Sequence, residues 1–237
     1  MKLLIVGASG GTGRTVVDRA LKEGHEVSGF CRRPPRVPHH PRLRWIVGDA
    51  MDGRSLASAV AGHEAVIVTL GIAENPLWVR LFGPARTASD VRSVGTRNVV
   101  EAMQEHGLRR LIVLTSYGVG DTRPRLRWQE RLFFSIVLAP QIRDTERQTD
   151  VVQASDLDWV LVQPVHLTDA LDDSPPLISL QGDTGAMTVS RRSVARFMTQ
   201  ALGDDRFLRR TASLSGALRR PQLDAMATDL AATIAKR

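Results

Sequence analysis

Three glycines near the amino end have the most specific spacing in this chain. Gly7, Gly10 and Gly13 punctuate Gly7-Ala8-Ser9-Gly10-Gly11-Thr12-Gly13, which follows the apolar run Leu3-Leu4-Ile5-Val6. An apolar strand before such a triplet and an amphipathic helix after it give the spacing its meaning. Gly7 permits a sharp turn, Gly10 lets backbone come against a pyrophosphate, and Gly13 lets the helix pack closely on the sheet. Amides at the helix opening then face the phosphates along a favourable dipole. Thr12 and Arg14 can add a hydroxyl and a charge.

The residues that select among dinucleotides fall about twenty positions later. A site for a free ribose 2′-hydroxyl places Asp or Glu at the end of the second strand. This chain has Phe30-Cys31-Arg32-Arg33 there. Guanidinium groups suit a 2′-phosphate by charge and by fork geometry, so NADP(H) is expected over NAD(H). The alternative is that Arg32 and Arg33 are ordinary loop residues. Asp49, in Val47-Gly48-Asp49-Ala50, is expected either against an adenine edge or as a loop cap.

Further along, three residues are candidates for work on a substrate. His166 follows a strand end and Pro164, at the sheet edge where α/β folds present ligands. It reads either as a donor to the substrate or as a satisfied loop histidine. Tyr117, the sole tyrosine, could meet a substrate because it follows Ser116, or could simply pack. Ser116 itself has no Gly-x-Ser-x-Gly surroundings and no assignable His–Asp partners, which argues against hydrolysis. His39-His40 lacks further ligands for a metal, and no metal site is expected. Asp144 and Arg147 share a helix face and read as a surface ion pair, with a place in the pocket lining as the alternative. Trp159 reads as core. Trp128, Phe133 and Phe134 could cover a planar substrate, with core or dimer packing as the alternative.

The elements that must position these residues alternate strand and helix over the first half, the mark of βαβ units. Strands are expected at 3–6, 27–30, 43–47, 65–70, 111–115 and 159–162. Helices are expected at 12–23, 55–60, 89–106, 143–155, 193–202 and 223–234, with Gly24 and Gly107 as stop signals. The proline-rich stretch 32–41 and the acidic stretch 169–176 read as loops. The fold class is therefore α/β: a three-layer, doubly wound parallel sheet of Rossmann type, with a small substrate-side region towards the carboxyl end. One domain over 1–237 is expected, with a dinucleotide half to about residue 120.

Composition narrows the partners. The chain of 237 residues carries a formal charge of +7, yet only Lys2, Lys22 and Lys236 are lysines. The arginines are dispersed, so they read as a solvated surface or as a pocket lining for a phosphorylated ligand, not as a nucleic-acid stripe. No apolar run is long enough to span a membrane, and no signal peptide is expected at the amino end. The single Cys31 excludes an internal disulfide. A cytoplasmic location, a small-molecule acceptor, no membrane and no specific nucleic acid are expected. A homodimer or a regulatory protein partner stays open.

Taken together with Gly62-His63-Glu64-Ala65-Val66-Ile67-Val68, Gly95-Thr96-Arg97-Asn98-Val99-Val100, Leu114-Thr115-Ser116, Arg143-Asp144-Thr145-Glu146-Arg147-Gln148, Ser155-Asp156-Leu157-Asp158-Trp159 and Pro164-Val165-His166-Leu167-Thr168-Asp169, the loop resembles the atypical short-chain dehydrogenase/reductase superfamily. The branch it resembles is the NAD(P)H-binding one that contains flavin reductase/biliverdin reductase B. The likeness covers roughly residues 1–202. It implies that Gly7, Ser9, Gly10, Gly11, Thr12 and Gly13 cradle the pyrophosphate and that Arg32 and Arg33 hold the 2′-phosphate. It puts Asp49 and Ala50 by adenine, Leu70 and Gly71 at the adenosine ribose, and Thr115 and Ser116 beneath the nicotinamide ribose. Pro164, Val165, His166 and Leu167 would meet the carboxamide, with Ser116 matching the superfamily's active-site serine.

The chain departs from that pattern at one point. Typical members use a Tyr-x-x-x-Lys pair as acid and base. Counted from Ser155-Asp156-Leu157-Asp158-Trp159, the pair falls near Gln141 and Thr145, and neither residue can do that chemistry. Two outcomes follow. One is a reductase that orients NADPH against a flat or carbonyl acceptor, with Ser116, Tyr117 and His166 around it and protons taken from the medium. The other is a non-catalytic NADP(H)-binding sensor.

Overall fold

A computed structural model describes residues 1–71, 88–126 and 139–217. The expected apolar stretch 128–138, with Trp128, Phe133 and Phe134, and the expected helix 223–234 lie outside these residues.

The continuous apolar run at the start forms β1 (Lys2–Val6), whose Leu3, Leu4, Ile5 and Val6 are all fully buried. A strand covered on both faces has no solvent side, so its sequence has no polar alternation. Successive side chains still point opposite ways. Leu3 and Ile5 join one core with Val16, Val17 and Ala20 of α1 (Gly11–Lys22) and with Phe197 and Met198 of α5 (Arg191–Gln200). Leu4 and Val6 join the opposite core with Leu56 of α2 (Gly53–Val60) and Val99 and Met103 of α3 (Val91–Glu105). Val152 of α4 (Ala139–Gln153) belongs to that second core. Each such buried aliphatic contributes about 1.5–3 kcal/mol. Three layers result: among the described residues, two α-helices on one face of the sheet and three on the other.

Among the described residues the sheet has eight strands. Beside β1 lie β2 (Glu26–Cys31) and β4 (Ala65–Val68), beyond them β3 (Leu43–Val47) and β5 (Arg110–Leu114), and then β6 (Asp158–Pro164), β10 (Arg210–Ser215) and β8 (Leu177–Ser179). The order is β3-β2-β1-β4-β5-β6-β10-β8. Pairing is parallel throughout except for β8, which runs antiparallel to β10 at the edge. The fold is thus the expected doubly wound α/β Rossmann sheet. A separate parallel pair, β7 (His166–Thr168) with β9 (Thr188–Ser190), lies outside the main sheet, in the part of the chain expected to form the substrate-side region.

β10 stands outside the expected strands, and one expectation needs amendment. β10 reads Arg-Thr-Ala-Ser-Leu-Ser, too polar to suggest a strand, yet Ala212, Ser213, Leu214 and Ser215 are buried between β6 and β8. Asp144 makes no surface pair with Arg147. It is 2% exposed and accepts from Arg92 N (3.0 Å), Ser93 N (3.0 Å) and Ser93 Oγ (2.5 Å), capping α3 from a neighbouring helix.

Candidate functional site

The strand order reverses beside β1, between β2 and β4, and an open α/β sheet forms its ligand crevice at the carboxyl ends on either side of such a reversal. Here β1 gives way to the glycine loop. Gly7 N and Ala8 N both donate to Phe30 O (3.0 and 3.3 Å), Gly10 N donates to Gly7 O (3.1 Å), and Arg14 N closes the first helical bond on Gly10 O (2.9 Å). Gly7 holds φ +84, and a Cβ there would lie 2.9 Å from both the carbonyl carbon and oxygen of Thr69. Gly13 is tighter still. Its Cβ would fall 2.2 Å from Gly7 O and 2.8 Å from Thr69 Oγ1, so only glycine lets α1 lie this close to the end of β4.

Gly10 is different. A Cβ there would meet only Gly7 O, at an ordinary 3.4 Å, because its open side faces the cleft. That is the shape of a backbone left bare for an anion. Gly10 caps α1 without a side-chain bond, and no acidic residue neutralises the helix's first turn.

The cleft has a volume of about 180 Å³. Gly7, Ser9, Gly10, Arg32, Asp49, Ala50, Leu70 and Gly71 all line it, together with Cys31, Thr69 and Val91. Eight of the expected cofactor contacts are therefore gathered on one surface from four separate loops. Arg33 is exposed and not part of this lining. Asp49 is exposed, and Met51 N donates to its Oδ1 at 3.0 Å, so it caps its loop while it borders the cleft. Burial pushes the Cys31 thiol upward, opposed in part by its hydrogen bond with Ser9, which keeps it a neutral wall residue.

The wall opposite the loop depends on residues whose role was not apparent from spacing. A Cβ on Gly95 would sit 2.6 Å from Leu70 Cδ1 and 3.2 Å from Ala50 Cβ, so this glycine lets α3 close on both. Asn98 Nδ2 donates to Ala50 O at 2.8 Å and fixes that carbonyl. Arg92 sits in the same wall. Its Nη1 donates to Thr145 Oγ1 at 3.1 Å and its Nη2 lies 3.6 Å from where a Gly71 Cβ would be. Burial lowers its pKa, partly offset by Asp144.

The remaining candidates lie at the ends of β5 and β6, which are neighbours. Thr115 N and Oγ1 both donate to Val162 O (2.8 and 3.2 Å), and Tyr117 N donates to Pro164 O (3.0 Å), which zips the two loops together. Ser116 is half-buried, its Oγ 3.4 Å from Tyr117 O. His166 is exposed, whereas the Val165 side chain is buried in the core. Tyr117 is 6% exposed and its hydroxyl donates to Gly182 O at 3.0 Å, so the packing alternative describes it. Thr12 and Gly13 are buried at the start of α1, with Gly11 exposed beside them. At the positions where the resemblance expects Tyr and Lys, Thr145 is buried and its hydroxyl donates to Gln141 O at 2.8 Å.

Among the described residues, no cluster of His, Cys, Asp or Glu could hold a metal ion, and no helix is long and apolar enough to cross a membrane.

Comparison with known proteins agrees with this geometry. The model of a family described as NAD(P)H-binding matches residues 7–205. A 3-beta-hydroxysteroid dehydrogenase of Mycolicibacterium neoaurum is 34% identical over 125 residues, which is 50% of this chain but 32% of that protein. The chain thus spans about a third of the length of this curated relative. An anaerobillin reductase from Escherichia coli O157:H7 superposes with TM-score 0.70 at 23% identity, over 91% of this chain and 97% of its own. A short-chain dehydrogenase/reductase (wide type) from Veillonella parvula, crystallised with NADP, gives 0.73 at 17% identity, over 90% and 94%.

Proposed function

We propose, from the premise that the chain belongs to the NAD(P)H-binding family, that it is an NADPH-dependent reductase acting on a flat or carbonyl-bearing acceptor. One observation carries the reading: the cleft joins a bare glycine loop to Arg32, with no carboxylate at the end of β2. An unneutralised helix opening attracts a diphosphate, and an arginine at the strand end attracts a 2′-phosphate.

The residues present fit that cofactor. Gly10 leaves the space that a phosphate needs, and Gly7 and Gly13 hold the loop against Thr69 so that its amides stay aimed. Ala50, Leu70 and Gly71 provide the adenosine wall, supported from behind by Gly95 and Asn98. When bound, NADPH supplies a hydride. Ser116, after β5, and His166, at the start of β7, would orient an acceptor. With Tyr117 engaged by Gly182 O, rate enhancement rests on positioning, which can supply roughly 7–11 kcal/mol in favourable cases. The relatives named as dehydrogenase and reductase support hydride chemistry in this fold family.

The test is a titration with NADPH and NADH, followed by NADPH oxidation with flavin, quinone and aldehyde panels. Tight NADPH binding with turnover on one panel is the expected result. Binding without turnover on any panel would assign the chain to NADP(H)-responsive regulation instead, and no binding of either cofactor would refute the reading.

A further inference from the structure

Gly11, like Gly10, is a glycine of the loop that neither a turn nor close packing on the strand explains, and unlike Gly10 it is not among the residues lining the cleft. Its backbone is not in the left-handed region, and the nearest atoms a Cβ would meet belong to Arg191, with Nε at 3.1 Å, Cδ at 3.6 Å and Cζ at 3.7 Å. The space left by the missing side chain is filled by a guanidinium from the other half of the chain. Arg191 opens α5, just after the N-cap Ser190, and its side chain is 26% exposed. Its partner is Asp169, whose Oδ1 accepts from Nη1 at 2.7 Å and whose side chain is 88% exposed.

Electrostatically this is a poor resting arrangement. A cation lies against the opening of α1, where the dipole is already positive, where Gly10 offers no side-chain cap and where Arg14 follows in the same turn. Its carboxylate partner, Asp169, is in solvent and therefore screened. An anion arriving over Gly10 and Gly11 would satisfy the helix amides and the guanidinium at once. Gly10 lines the cleft together with Arg32 and Asp49, and Arg191 lies against the next residue of the loop, Gly11.

We propose that Arg191 is a diphosphate-holding residue of the cofactor site, with Asp169 as the counter-ion it exchanges for the phosphate. The inference rests on the NADP(H) reading above and adds a contact from the substrate-side half. Asp169 directly follows β7, the strand that carries His166. Diphosphate binding therefore withdraws a restraint from the loop beside the acceptor side, which makes that loop responsive to whether cofactor is present.

The experiment measures Kd by calorimetry for NADPH and for adenosine 2′-monophosphate, which has a 2′-phosphate and no diphosphate. Wild type, Arg191→Ala, Arg191→Lys, Asp169→Asn and Gly11→Ala are compared, with melting curves confirming that each is folded. Arg191→Ala is expected to weaken NADPH about ten- to a hundredfold and to leave adenosine 2′-monophosphate within twofold. Arg191→Lys should recover part of the loss. Gly11→Ala, which keeps the arginine but pushes it away, should reproduce it, and Asp169→Asn should tighten NADPH severalfold. Unchanged NADPH affinity in folded Arg191→Ala overturns the inference and leaves the NADP(H) reading intact. Equal losses for both ligands overturn it too, because the effect would then be a general disturbance. If wild type binds neither ligand, both readings fall together.

Discussion

Gly10→Ala separates folding from binding at a single methyl group. The residue sits at φ −70, ψ 166, an extended conformation that alanine adopts freely. The new Cβ would lie 3.4 Å from Gly7 O and would otherwise point into the cleft. Losing glycine's flexibility in the unfolded chain stabilises the fold by about 0.4–1 kcal/mol. Losing glycine's advantage over alanine at an N-cap costs a similar amount. The two nearly cancel, and the melting temperature should stay within a few degrees of wild type.

Binding does not cancel. A phosphate oxygen about 2.9 Å from the loop amides would have to retreat from the methyl, loosening one or two charge-assisted hydrogen bonds worth about 1.5–3 kcal/mol each. NADPH affinity should therefore fall about tenfold to more than a hundredfold. Gly13→Ala is the contrasting case. Its Cβ would stand 2.2 Å from Gly7 O, a backbone atom that no rotamer change can move, so α1 must shift by about 1 Å and the fold loses about 1–3 kcal/mol or more. Urea unfolding and calorimetry on the two variants distinguish these outcomes. Folded Gly10→Ala that binds NADPH as wild type does would refute the argument that a phosphate lies over this residue.

Replacing both Arg32 and Arg33 by Ala should weaken NADPH at least tenfold more than NADH in parallel titrations, and equal losses would remove the 2′-phosphate assignment. Tyr117→Phe should cost about 1–2 kcal/mol in urea unfolding, since Gly182 O loses a buried donor, while NADPH turnover stays within twofold. Burial lowers the pKa of His63 from its usual 6.5, with Arg44 adding to the effect, so the folded protein resists a proton that the unfolded chain accepts. Stability from this residue is fully present above pH 6.5 and declines as pH falls below it, by at most about 1.4 kcal/mol per pH unit. His63→Gln should flatten that part of the profile, leaving the contribution of His25, whose pKa is also lowered by burial.

The glycine-loop side of the cleft was legible because its requirements are local. A turn, a bare amide and a close helix each demand glycine within one short loop, and the strand-end residues follow at fixed distance. What escaped was set by distant packing. Gly95 matters because Leu70 and Ala50 lie across from it, and Arg191 because it reaches Gly11, across a separation that spacing along the chain cannot express. In a chain so rich in arginine, neither Arg92 nor Arg191 differs in sequence from its solvated neighbours. Asp144 misled for a related reason: its spacing from Arg147 suggests a surface pair, and only the amide groups of another helix make its burial favourable. β10 was hidden because serine and threonine fill a strand interior whose polar groups find partners, as when Gly185 N donates to Ser215 Oγ at 2.8 Å.

The cap on α3 has a bearing on how this chain can be dissected. A fragment ending at residue 126 would keep β1 to β5 but would lose Asp144, orphaning the Arg92 and Ser93 amides and leaving the Ser93 hydroxyl only its longer bond to Asp90 O. The frayed helix is the one that buttresses Ala50 and Leu70 through Asn98 and Gly95. Grafting the glycine loop with its adjoining strands onto another scaffold would therefore transplant a cleft without its brace, unless a carboxylate is engineered to meet those amides.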